Sequence, residues 1–188
     1  MPEGMVITLP WIIHGSIGPS FKDLLENVVQ DTLRELNIKV NIESVDSSEM
    51  PYTKVISEEK DFSITIYSNA LVFEFSIFGE EQRNILISIL NKLKGENVPL
   101  PNEVSVYTTV LLPGKKFSEL ISFADKEYSP VSIKLIKNDG KVKELLTIER
   151  YGIYSSKVML TLEVIADDVF KGIEYVFKEK TKIANALQ

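Results

Sequence analysis

Hydrophobic positions along the chain follow two alternating periods. Over 20 to 36, Phe21, Leu24, Leu25, Val28, Leu33 and Leu36 recur near the helical period. Ser20 with Asp23 resembles a capping box, and Asn37 is a natural stop. A second helix is predicted from about 80 to 94, on the stripe Ile85, Leu86, Ile89, Leu90 and Leu93, closed by Gly95. A third is expected over 115 to 127, with Phe117, Leu120, Ile121 and Ala124. A fourth runs from about 167, with Val169, Phe170, Ile173, Val176, Phe177, Ile183 and Leu187. Between the helices the period becomes two. Ile38, Val40 and Ile42 alternate with polar residues, as do Phe62, Ile64 and Ile66. The sets Leu71, Phe73, Phe75 and Ile77, then Val131, Ile133 and Leu135, then Val158, Leu160, Leu162 and Val164 each share one strand face. Ser68-Asn69 and Asn138-Asp139-Gly140 read as hairpin turns.

The order is strand, helix, three or four strands, helix, and then the same again. GPSFKDLL (18 to 25) aligns with GKKFSELI (114 to 121), and LVFEFSIFGEE (71 to 81) aligns with VMLTLEVIADD (158 to 168). GENVPLPNE, 95 to 103, contains two prolines and reads as a linker. We therefore expect an α+β chain of duplicated halves, 1–98 and 99–188, either two domains or one two-lobed domain. The expected sheets are antiparallel, with helices on one face. This layout resembles that of the TATA-binding protein family, which would imply one long sheet and nucleic-acid contact through its open face. Tandem ferredoxin-like halves are the alternative fold.

Composition narrows the chemistry. The chain of 188 residues is 44% apolar and 26% charged, ordinary for a globular protein. It has no cysteine, which removes thiol nucleophiles, disulfides and thiolate metal sites. A single histidine and no cysteine leave a poor ligand set for transition metals, so no metal and no cofactor is expected. The net charge of −6 disfavours nonspecific nucleic-acid binding. The first residues lack the pattern of a signal peptide, and no apolar run approaches the length of a membrane span. A soluble, cytoplasmic protein is expected.

Candidate sites are few. His14 lies in IIHGSIGPSFKD with Ser16 and Ser20, where a base, a nucleophile or an anion cradle at a helix start is conceivable. The loop fits no nucleophile elbow and no phosphate-binding pattern. Its counterpart LLPGKKFSELI keeps the turn and lacks the histidine. The acidic pairs Glu80-Glu81 and Asp167-Asp168 each open a helix, where negative charge offsets the macrodipole. ESVDSSEMPY, 43 to 52, lacks the ligand spacing of a calcium loop and reads as a solvated connection.

What is left is the polar strand face. Lys39, Asn41, Glu43, Ser63, Thr65, Glu74, Ser76, Ser132, Lys134, Thr161 and Glu163 share it in this register, and Tyr67 and Phe78 fall with them as anchors. The expected function is a non-enzymatic binding or assembly protein without catalytic residues. Its binding candidates are His14, Ser16, Ser20, Lys39, Asn41, Thr65, Lys134 and Thr161. Edge strands could also take a protein partner or form a homodimer. The alternatives are nucleic-acid binding through the sheet face, and a small-molecule or anion-binding enzyme at the His14 loop.

Overall fold

A computed structural model describes residues 4–11, 19–46, 50–114, 117, 131–138, 142–152 and 157–187, with the backbone only for Pro19 and Ser20. The chain is α+β and divides into two compact units, Met1–Val104 and Ser105–Gln188.

The first unit contains β1 (Gly4–Pro10), α1 (Pro19–Glu35), β2 (Asn41–Val45), β3 (Tyr52–Ser57), β4 (Phe62–Ile66), β5 (Ala70–Phe75) and α2 (Glu80–Gly95). Its strands lie in the order β2-β3-β4-β5-β1, and each neighbouring pair is antiparallel. One face collects the alternating apolar residues: Met5, Ile7 and Leu9 of β1, Phe62, Ile64 and Ile66 of β4, and Leu71, Phe73 and Phe75 of β5, all buried. The helices contribute Leu25, Val28, Val29 and Leu33 from α1 and the expected stripe Ile85, Leu86, Ile89, Leu90 and Leu93 from α2. The Ser68-Asn69 turn is observed, with the Tyr67 amide donating to the Ala70 carbonyl at 2.9 Å.

Both helices of this unit stop by one device. Asn37 and Asn97 take positive φ values of 56° and 59°. The amides of Ile38 and Val98 then donate back to the carbonyls of Leu33 and Leu93, each at 2.9 Å. This is the Schellman closure, in which a left-handed residue turns the chain and satisfies a terminal carbonyl. Asn97, not Gly95, therefore turns the chain out of α2. At the other end, α1 begins at Pro19, so Ser20 sits inside the first turn and not ahead of it.

The second unit is built from β6 (Val104–Pro113), β7 (Ser132–Asn138), β8 (Lys143–Arg150), β9 (Lys157–Ala166) and α3 (Val169–Leu187). Its strand order is β6-β9-β8-β7, with β7–β8 and β8–β9 antiparallel. Helix α3 packs on β9. Gly172 makes the approach close: a Cβ there would stand 2.9 Å from Cγ2 of Val106. Asp168 caps α3 by accepting from the amides of Phe170 and Lys171 at 2.9 and 3.0 Å, and Asp167 pairs with Lys171 at 3.4 Å. Glu80 and Glu81 stand in the first turn of α2. Both acidic pairs thus do helix-start work.

The helix expected over 115 to 127 lies outside the described residues except for Phe117, which is buried, and so do Asp139 and Gly140 of the second turn. Two strands have no counterpart in the sequence reading: β3, and β8, whose run KELLTIER carries its charges where a helix would also place them. Phe21 and Phe117 differ in burial. Phe21 is half-buried, edge-on to Trp11 at 5.7 Å, while Phe117 is 1% exposed.

Candidate binding surfaces

In each unit the strands have a face turned away from the buried apolar set. In the first unit that face carries Asn41 and Glu43 of β2, Lys54 of β3, Ser63 and Thr65 of β4, and Glu74 of β5, aligned by the cross-strand register. Glu74 is the centre of a local network. Its Oε2 accepts from Ser63 Oγ at 2.7 Å and from Lys54 Nζ at 3.1 Å. The Ser63 hydrogen bond holds the Glu74 carboxyl below the usual range; partial burial opposes this, and Lys54 adds to it. A cleft of about 410 Å³ opens beside this network, lined by Lys54, Glu58, Asp61, Ser63, Glu74 and Ser76 among others. The chemistry here is self-contained. The Ser63 proton is committed to a carboxylate, and a carboxylate with a depressed pKa is a poor general base.

The sequence candidates of this unit disperse. Thr65 is 7% exposed between Lys54 and Val72 in register. Asn41 is exposed on the outer strand. Lys39 precedes β2, and its carbonyl accepts from Ser57 Oγ at 3.1 Å. Tyr67 lies 5.8 Å from Tyr52. Phe78 instead packs edge-on against the core residue Phe75 at 5.2 Å, so it belongs to the buried side. His14 and Ser16, and the side chain of Ser20, lie outside the described residues.

The open face of the second unit brings two candidates into line. Lys134 of β7 opposes Thr147 of β8, which opposes Thr161 of β9. The Thr161 hydroxyl is 3.3 Å from that of Thr109 on β6, which donates to the Tyr107 hydroxyl at 3.0 Å. Ser105 donates to Glu163 at 3.2 Å and Ser132 to Glu149 at 3.3 Å. These polar groups satisfy one another across the strands. On the helix side, Lys137 Nζ donates to the Tyr175 hydroxyl at 2.7 Å, and that hydroxyl donates to Glu144.

The outer strands differ from the interior ones. All five residues of β2 are exposed, including Ile42 at 48% and Val45 at 38%. On β7, Leu135 and Ile136 point to opposite faces and are 54% and 82% exposed. Ile136 was missed by the sequence reading, although the adjacent apolar pair Leu135-Ile136 carried the signal. In a strand, one of two consecutive apolar residues must face the open side. Among the described residues no group of His, Asp and Glu is placed to hold a metal ion, no helix is long and apolar enough to cross a membrane, and no buried side-chain polar atom is without a partner. The sequence matches no protein-family model and, among curated proteins, no relative.

Proposed function

We propose that this chain is a non-enzymatic assembly protein that engages another polypeptide by strand addition at an outer sheet edge. The observation that carries this reading is the exposure of Leu135 and Ile136 on the two faces of β7. An outer strand presents unpaired backbone donors and acceptors, and apolar side chains on both of its faces invite a further strand. The hydrogen-bonded networks at Glu74 and Thr161 support the same reading, because their polar groups are already engaged with one another.

Descent of both units from one duplicated half is part of this proposal. It is supported by the antiparallel run that closes on a helix in each, β4-β5-α2 and β8-β9-α3. We place the protein in the cytoplasm, on a composition that needs no oxidising compartment.

The test is amide-resolved NMR of the full chain titrated with a panel of extended apolar–acidic heptapeptides. Binding should move the resonances of 131–138 and their β8 partners, and should protect β7 amides from exchange. Perturbation confined to the Lys54–Glu74 cleft, or none across the panel, would sink the proposal.

A further inference from the structure

The two outer strands have matching patterns of opposite charge. Strand β7 reads Ile133-Lys134-x-Ile136-Lys137, and β2 with the residue after it reads Ile42-Glu43-x-Val45-Asp46. An apolar residue followed by a charge occurs twice at the same spacing in both. The charges are basic on β7, which has no acidic residue, and acidic from Asn41 to Asp46, which has no basic one. The basic edge runs against the chain's net charge of −6, so it is no by-product of overall composition.

We infer that β7 of one copy pairs with β2 of a second copy, in parallel register, with Lys134 opposite Glu43. This names the partner of the strand-addition reading and rests on it. In that register Ile133 meets Ile42, Ile136 meets Val45, and Lys137 meets Asp46. Faces agree as well. Lys134 and Ile136 lie on the open face of their unit, as Glu43 and Val45 do on theirs, because Lys134 aligns with Thr147 and Glu43 with Lys54. Ile133 and Ile42 lie on the opposite, helix-bearing sides, in register with the buried Ile148 and Val55. Lys134, Glu43 and Asp46 have no ionic partner among the described residues. Lys137 keeps its bond to Tyr175 and presents its charge beside it.

Self-pairing of like edges is the rival arrangement, and charge opposes it. It would gather only lysines at a β7 seam and only carboxylates at a β2 seam, with no opposite charge to pair them. A β7–β2 contact joins two different surfaces, so it leaves a free edge at each end. Copies then add head to tail into rings or open chains.

Sedimentation velocity of the full chain over a concentration series tests this. The expected result is association beyond the dimer that weakens as salt is raised. Lys134→Glu and Glu43→Lys should each weaken association by about tenfold or more. An equimolar mixture of the two variants should recover it, because each then offers the complement of the other. Both changes are on exposed side chains, and far-UV circular dichroism verifies the fold. As a second pair, Ile136→Pro and Ile42→Pro should each be monomeric and should form a dimer, and nothing larger, when mixed. A wild-type assembly that stops at the dimer, or association indifferent to Glu43→Lys, overturns the inference. A chain monomeric at every concentration overturns it too. If the heptapeptides still move β7 resonances in that case, strand addition stands and only the second copy is excluded; if they do not, both readings fall.

Discussion

The Tyr175 hydroxyl of α3 donates a 2.6 Å hydrogen bond to Oε2 of Glu144, a carboxylate on β8 that is only 6% exposed. Lys137 of β7 donates in turn to the same hydroxyl. One phenol therefore links a helix to the outer strand β7 and to its neighbour β8. Tyr175→Phe keeps the ring and leaves a buried acceptor short of its donor. The expected loss is about 1–3 kcal/mol in urea denaturation, the usual cost of such an orphaned group. A change below the error of the melt would show that Glu144 finds another donor.

Gly172 is the second point of dependence in this unit. A Cβ there meets Val106 at 2.9 Å and Ala166 at 3.4 Å. Alanine gains about 1 kcal/mol of helix propensity over glycine, but overpacking of a core contact costs about 1–3 kcal/mol. Gly172→Ala should therefore be net destabilising in the native chain. In a Val106→Ala background the same step should become stabilising. Thermal denaturation of the four proteins in this cycle measures the sign change.

Burial predicts unequal costs at the two aligned phenylalanines. Phe117→Ala removes a ring that is 1% exposed and should cost about 3–5 kcal/mol. Phe21→Ala removes a half-buried ring whose edge rests on Trp11, and should cost clearly less. Chemical denaturation curves compared side by side give the ranking, and equal costs would contradict it.

Acid should loosen the attachment of α1 to β3. Burial by itself raises the Glu26 carboxyl, but hydrogen bonds from Lys22 and Thr53 and the Lys22 charge outweigh it, and the net shift is downward. Lys22 Nζ is 2.7 Å from Glu26 and 3.0 Å from Thr53 Oγ1, and Thr53 also donates to Glu26. A carboxyl with a lowered folded-state pKa contributes stability above its unfolded value. That contribution is lost as pH falls through the lower, folded value. Denaturation midpoints should therefore drop on the acid side of the ordinary carboxylate range. Glu26→Gln should make that drop shallower, and an unchanged acid limb would rule the pair out as a contributor.

Helices α1, α2 and α3 were legible because each buries one stripe, and a period near 3.6 is visible in sequence wherever that holds. The stripe Ile85, Leu86, Ile89, Leu90 and Leu93 is buried as read. Strand β8 was not legible. Its Leu145-Leu146 pair and flanking charges fit a helix locally, and only pairing with β7 and β9 makes it a strand. Of the candidate surface, Lys134 and Thr161 could be placed on one face from alternation alone. Thr147 between them depends on the register of the missed strand. Phe78 was misplaced because it lies beyond the end of β5, where alternation no longer applies.

From sequence alone came the two periods, the amphipathic faces, the stop of α1 at Asn37 and the exclusion of thiol chemistry. The tertiary structure decided which strands became edges. Leu135 and Leu162 both sit at apolar positions of alternating strands, yet Leu135 is 54% exposed and Leu162 is fully buried. Alternation tells which face a side chain takes. Whether that face is covered depends on how many strands and helices lie beside it, and those neighbours are set by pairings between distant parts of the chain.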